Sequence, residues 1–252
     1  MKKLMILFVM TCLLIESQGY AQIFKKSSSS TDSSSATAVK NPLNKLFGKT
    51  KGGLTNDDVV SGLKEALSVG AERGTKQLSA VDGFFGDAAL KILMPEEAKK
   101  VEQKLRSVGM GKQVDQAILS MNRGAEDAAK SAAPIFINAV KQMSIQDAMG
   151  ILRGSDNAAT SYLKGKTTTQ LTEAFRPVIE ESLKKVDATK YWNTVFTTYN
   201  QFSKEKVNTD LSAYVTEKAL AGIFVQLAAE EMKIRKDPMA RTTDILKKVF
   251  GN

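Results

Sequence analysis

From about residue 54 to the end of the chain, apolar side chains recur at the three- and four-residue spacing of α-helices. Val59, Leu63 and Leu67 form one such stripe, and Leu211, Val215 and later apolar residues form another. No alternation of apolar and polar positions persists long enough to predict a β-strand. The pattern therefore predicts an all-α fold, built as a single multi-helix, bundle-like domain.

Residues that typically start or stop helices divide this region into about nine or ten predicted helices. Because most of them are too short to be stable alone, tertiary packing must hold them together. The predicted helices are 55–78, one from Pro95 to about 108, 112–131, 134–143, one capped by Ser144 and Asp147, one from about Asp156, one from Thr167 that breaks or kinks near Pro177, one from Asp187, one from Asp210 to 236, and 238–251.

The first 53 residues follow other patterns. Lys2 and Lys3 precede an apolar run from Leu4 to Ile15, and small residues flank a cleavage site after Ala21, as in a secretory signal peptide. As a helix this run spans about 18 Å, less than the roughly 30 Å core of a bilayer. Residues 22–53 are rich in Ser and Lys, which is typical of a flexible linker. We therefore expect a signal peptide at 1–21, a linker at 22–53, a helical domain at 54–252, and export, with the periplasm of a Gram-negative bacterium as the destination.

The composition excludes several classes of chemistry. The chain has no His, and its one Cys, Cys12, lies in the predicted signal peptide. Histidine-based catalysis, His-ligated metals and disulfides are therefore excluded from the mature domain. No P-loop, dinucleotide fingerprint or calcium loop is present, so we expect no cofactor and no metal. Most of the net charge of +9 lies before residue 54, which argues against a nucleic-acid-binding surface on the domain.

A few polar residues are candidates for ligand binding. Arg153, Ser155 and Asp156 flank Gly154 at a predicted helix junction, where backbone N–H groups and an arginine could bind an anion; a plain helix stop followed by a cap is the alternative. Asn122 and Arg123 interrupt a run of small and apolar residues, so Arg123 is either part of a core ion pair or a ligand anchor. Arg241 and Asp244 form a third candidate, with a structural ion pair as the alternative.

Most carboxylates have a structural explanation. Six acids, Glu126 and Glu231 among them, lie four residues before a basic residue, which is typical of helix-surface pairs. Asp57, Asp187 and Asp210 are explained as helix caps. A hydrolase that works through two carboxylates remains an alternative function, and its acids would come from Glu65, Asp147, Glu173, Glu217 and Asp244.

Several segments, in the same order along the chain, resemble one known family, the domain of unknown function 4197 family. The likeness extends over essentially all of 54–252 and does not include the Ser-rich linker. It implies an exported bacterial helical protein and brings no established activity or catalytic residues. The matching segments are Ser120–Glu126, Pro134–Phe136, Lys141–Ala148, Gly150–Thr160, Tyr214–Leu220 and Arg241–Asp244.

Export, helical architecture and the lack of recognisable catalytic residues favour a non-enzymatic binding protein. We expect it to hold an apolar or anionic small ligand, or to contact a partner in the cell envelope. A carboxylate hydrolase and a structural or assembly factor of the envelope are the alternatives. The sequence leaves the oligomeric state open.

Overall fold

The computed structural model describes residues 55–204, 206–237 and 247, and α-helices dominate this part of the chain. The first helix begins with a capping box, in which the Thr55 side chain accepts the Asp58 N–H at 3.1 Å and the Asp58 carboxylate accepts the Thr55 N–H at 2.9 Å. The helices are α1 (Asn56–Leu78), α2 (Lys99–Ser107), α3 (Gly111–Ala129), α4 (Ala132–Lys141), α5 (Ile145–Arg153), α6 (Ala158–Lys184), α7 (Ala188–Phe202) and α8 (Leu211–Lys236).

Four long helices, α1, α3, α6 and α8, form the centre of the bundle. Helix α6 packs against both α3 and α8, while α8 also packs against α1. Along α6 the fully buried side chains recur every fourth residue, which gives the helix one continuous apolar stripe facing its neighbours. This stripe comprises Leu171, Phe175, Ile179 and Leu183.

The observed bounds of α6 differ from the predicted helix boundaries. We expected one helix from about Asp156 and another from Thr167, with a break or kink near Pro177, but α6 runs without interruption from Ala158 to Lys184. The hydroxyl of Thr167 donates to the Leu163 carbonyl within the helix at 2.7 Å, so this threonine does not end it. Pro177 is exposed, and buried residues on both sides of it keep the two halves in one helix.

The number of helices therefore differs from the predicted nine or ten. The described residues hold eight α-helices and a short 3-10 turn at Glu96–Ala98. The predicted helix 238–251, apart from residue 247, lies outside the described residues, as do the signal peptide and the linker. The all-α class is confirmed for the part of the chain that the structure describes.

Two irregular stretches between helices line one side of α8. Residues 79–95 make a series of turns and then an irregular segment between α1 and the 3-10 turn. Between α7 and α8 the chain is again irregular and passes through Val207, which is buried. Both stretches lie beside α8 and form the walls of a groove.

Candidate binding groove

A buried carboxylate on α3 anchors the turns that come after α1. One oxygen of Glu126 accepts hydrogen bonds from the backbone N–H groups of Phe84 and Phe85, at 3.1 and 3.2 Å. The other oxygen is paired with Arg123, which also binds Asp82 at 2.7 Å. The hydrogen bond with Glu126, and then the one with Asp82, raise the pKa of Arg123. This network fixes the turn so that the Phe84 side chain is completely buried.

An asparagine on the same helix holds the next part of the segment. The Asn122 side chain accepts the Ile92 N–H at 2.8 Å and donates to the Ile92 carbonyl at 2.8 Å. These are the two bonds that a neighbouring β-strand would make to one residue. Asn122 is fully buried and also donates to the Ile118 carbonyl, so its amide is firmly oriented.

Helix α8 forms the opposite wall of the groove. The Tyr214 hydroxyl donates to the Leu93 carbonyl at 2.8 Å, which links α8 to the segment that Asn122 holds. Further along α8, Phe84 packs against Gly222 so closely that a Cβ at this glycine would lie 2.6 Å from Phe84 Cε1. Gly222 is thus required for the close approach of the turn to α8.

The third wall comes from α7 and the irregular stretch after it. The Trp192 indole donates to the Asn208 carbonyl at 2.9 Å. The Asn200 side chain binds both backbone groups of Val207, at 2.7 and 2.8 Å, in the same manner as Asn122 binds Ile92. Two asparagine side chains therefore fix two irregular segments on either side of the groove.

The groove encloses about 590 Å³, a volume within the range of small-ligand sites. Leu93, Met94, Ala221 and Val225 supply apolar surface, and Leu93 and Val225 are more than half exposed. Such exposure of large apolar side chains beside a concave surface is typical of a binding site.

Charged side chains of both signs line the groove. Burial, followed by the nearby carboxylates of Glu97, Glu217 and Glu96, raises the pKa of Tyr214 to about 12. On the basic side, the Lys91 ammonium lies 3.7 Å from the centre of the Phe85 ring and Lys218 lies 5.6 Å from that of Tyr214. Lys206 donates to the Asn200 carbonyl. The three carboxylates lie near Tyr214. Lys91 lies on the 89–97 segment, five residues before Glu96.

Asn122 and Arg123, predicted as ligand-binding residues, lie behind the groove wall. Both bind protein groups: Asn122 holds Ile92, and Arg123 joins Glu126 to Asp82. Arg123 is therefore in an ion pair, one of the two alternatives that the sequence left open. Direct contact of these residues with a ligand stays a prediction.

Arg153, Ser155 and Asp156 lie in the exposed junction between α5 and α6, apart from the residues that line the groove. The Ser155 hydroxyl donates to Asn157, and Asp156 pairs with Lys236 at 2.7 Å. The hydrogen bond from Lys236 lowers the pKa of Asp156. Their role in anion binding stays a prediction.

The amino end of α6 already has an anionic partner from the protein. Buried Glu231 of α8 accepts the N–H groups of Ala159 and Thr160, at 3.0 and 2.8 Å, and the Thr160 hydroxyl at 2.8 Å. Arg235 pairs with the same carboxylate and donates to the Ile151 carbonyl at the end of α5. The backbone N–H groups that an external anion would use here are thus occupied.

The remaining predicted residues are scattered. Arg241 and Asp244 lie outside the described residues. Asp147 completes the capping box of α5 with Ser144, whose hydrogen bonds lower the pKa of Asp147. Glu65 lies half-buried in α1 and Glu173 exposed in α6, whereas Glu217 lies in the groove.

Three residues that hold these elements together, Glu126, Glu231 and Tyr214, were not predicted as site residues. Glu126 and Glu231 were assigned to helix-surface pairs with Lys130 and Arg235, but both acids are buried, and Lys130 pairs with Asp127 instead. Tyr214 lies within the predicted helix from Asp210 to 236 and is not among the predicted site residues. The signal for Glu126 was present in the sequence, since it is an acid among Gly124, Ala125, Ala128 and Ala129.

Neither a metal-binding cluster nor a membrane span occurs among the described residues. In this part of the chain no three His, Cys, Asp or Glu residues come together as a metal-binding set. Within the same ranges, no helix has both the length and the apolarity needed to cross a membrane.

Comparison with known proteins gives a family and no function. No curated protein and no solved structure matches the chain. One family model, described as a protein of unknown function (DUF4197), matches residues 53–251. This range contains all eight described α-helices, including every residue that lines the groove and anchors its walls. The chain therefore belongs to the DUF4197 family.

Proposed function

We propose that the protein is a non-catalytic binding protein whose ligand lies in the groove between the 89–97 segment and α8. The observation that carries the proposal is the groove itself, a concavity of about 590 Å³ with exposed apolar side chains on both sides. Its walls are fixed by Asn122, Asn200 and Tyr214. A preformed site loses little entropy on binding, which favours affinity.

The ligand that this groove suits is elongated and partly apolar. An apolar ligand was one of our expectations, and the side chains of Leu93, Ala221 and Val225 support it. A purely anionic ligand is less suitable near Tyr214, where the carboxylates of Glu96, Glu97 and Glu217 would repel it. The predicted signal peptide supports a place of action outside the cytoplasm, in the cell envelope.

The test uses N-phenyl-1-naphthylamine, an uncharged apolar fluorophore that accepts energy from tryptophan. The chain has one tryptophan, Trp192, and it lines the groove. Energy transfer from it reports that the probe is bound to the protein, and a variant that fills the groove then locates the bound probe. We expect saturable binding of the probe to residues 22–252 with transfer from Trp192. The variant Ala221→Phe fills the groove and should lose this signal.

Ala80→Phe is the matched control, since Ala80 is an exposed alanine outside the residues that line the groove. This variant should bind the probe like the unchanged protein. Non-saturable binding, or equal binding by Ala221→Phe and the unchanged protein, would contradict the proposal.

A further inference from the structure

The segment that forms one wall of the groove has a free backbone edge. Because Asn122 binds both the N–H and the carbonyl of Ile92, this residue has the extended arrangement of a strand, with its polar groups directed to α3. In an extended chain the polar groups of the flanking residues point to the opposite side. The hydrogen bond from Tyr214 to the Leu93 carbonyl agrees with this, since Tyr214 lies on α8 across the groove.

Two backbone groups on that edge have no partner among the described residues. The Leu93 N–H donates to none of them, and the Lys91 carbonyl accepts from none of them. Leu93 is about half exposed and Lys91 is partly exposed, so these strong hydrogen-bonding groups are accessible to a partner from outside the chain. One donor and one acceptor on the two sides of Ile92 are what an added strand requires.

We propose that the ligand of the groove is an extended peptide segment of another protein, which pairs with the backbone at Lys91 and Leu93. This rests on the proposed function and specifies its ligand. From Tyr214 to Val225, α8 rises about 17 Å at about 1.5 Å per residue. An extended peptide of about five residues has the same length, at roughly 3.3 Å per residue.

The charges of the groove indicate which peptide fits. At one end, the carboxylates of Glu96, Glu97 and Glu217 near Tyr214 outnumber the single ammonium of Lys218 and suit a basic residue. Lys91 suits an acidic residue at the other end, and the apolar side chains between them suit small aliphatic residues. A peptide with opposite charges at its ends and valines between them meets these requirements in one of its two directions.

The experiment titrates residues 22–252 with two blocked pentapeptides, acetyl-Lys-Val-Ala-Val-Glu-amide and acetyl-Glu-Val-Ala-Val-Lys-amide. Displacement of the naphthylamine probe and the change in Trp192 emission report binding. We expect one direction to bind more tightly than the other. The variant Leu93→Pro removes the backbone donor and should weaken binding by roughly tenfold, the value of about one hydrogen bond. Leu93→Ala keeps the donor and should change the affinity less than Leu93→Pro does.

Methylated peptides test the same point without changing the protein. In an extended peptide alternate N–H groups face opposite edges, so methylation of the alanine nitrogen and methylation of the two valine nitrogens must differ in effect. We expect one of these peptides to lose binding and the other to keep it.

The outcomes separate the two proposals. Probe binding that neither peptide displaces would overturn the peptide inference and leave the proposed function standing. If neither the probe nor either peptide binds, the proposed function and the peptide inference are both overturned. Peptide binding that both methylation patterns weaken equally, or that Leu93→Pro and Leu93→Ala leave unchanged, would show that no strand pairing occurs and would also overturn the inference.

Discussion

At the scale of single residues, Glu231 connects three helices through one carboxylate. It accepts hydrogen bonds from the first turn of α6, while its partner Arg235 donates to the Ile151 carbonyl near the end of α5. Both side chains are largely removed from solvent, at 5% and 13% exposure. A carboxylate in such surroundings is stabilised only while all its partners are in place.

We expect Glu231→Ala to lower the free energy of unfolding by about 3 kcal/mol, because it leaves buried donors and a cation without this carboxylate. Urea denaturation followed by circular dichroism measures the change. Glu181→Ala is the control, since Glu181 pairs with Lys185 at 3.6 Å on the exposed surface. That variant should change the stability by less than about 1 kcal/mol. Equal effects of the two substitutions would show that the buried network does not stabilise the fold.

Tyr214 makes the stability depend on alkaline pH. Its pKa is raised to about 12 in the folded protein, first by burial, whereas an unfolded chain has a tyrosine pKa of about 10. Since the unfolded chain releases this proton first, the stabilising contribution is complete below about pH 10 and is lost as the pH rises towards about 12. We expect the free energy of unfolding to fall with pH across this window, and to fall less steeply for Tyr214→Phe. An identical slope for the two proteins would contradict this.

Sequence spacing explained the ion pairs of several acids, but for the buried acids it gave at most part of their contacts. Glu102 and Arg106 form the expected i,i+4 pair, at 2.9 Å. Glu231 forms its expected pair with Arg235 at 2.8 Å, whereas Glu126 does not pair with Lys130. Both acids also accept hydrogen bonds from backbone groups, 42 and 72 positions away. Only the tertiary structure brings these groups together, so no local pattern could identify them.

At the scale of helices and turns, contact between Phe84 and Gly222 sets how closely the turn after α1 approaches α8. Any side chain at position 222 would collide with a ring that is completely buried. The glycine is therefore retained inside a long helix despite its low helix propensity.

We expect Gly222→Ala to destabilise the protein by about 1–3 kcal/mol through overpacking, although alanine is the better helix former. Gly165→Ala in α6 is the matched control, because a Cβ there meets nothing within 4 Å. That variant should gain up to about 1 kcal/mol from helix propensity. Thermal unfolding of the two variants compares them directly, and stabilisation by both would show that the turn does not pack as described.

Helix starts were predictable where a side chain makes the cap itself. Ser144 with Asp147 and Asp210 with Ala213 form the expected hydrogen bonds. Asp187 occupies the position before α7, but its backbone is left-handed and its side chain makes no cap hydrogen bond. Pro177 failed as a stop signal because burial of the apolar stripe on both sides of it outweighs one lost hydrogen bond.

At the scale of the whole molecule, hydrophobic periodicity is sufficient to predict the all-α class but does not predict the groove. The groove combines residues 89–97, Trp192, residues 206–208 and one face of α8. Of the predicted site and acid candidates, Glu217 lies in it. A composite surface of this kind depends on which helices become neighbours, and the hydrophobic pattern of each helix leaves that choice open.

The anchoring of the 82–92 segment by Glu126 and Asn122 also has a consequence for the order in which parts of the protein fold. These contacts join residues only 30 to 42 positions apart, whereas Gln226 of α8 reaches Gln77 of α1 across 149 positions. Local contacts form faster than distant ones. Because the amino-terminal part of the chain becomes available for folding first, we expect the first wall to assemble on α3 before α8 joins it. Until then Phe84 lacks its contact with Gly222 of α8, and a chain that ends before α8 would expose part of this aromatic side chain to chaperones and proteases.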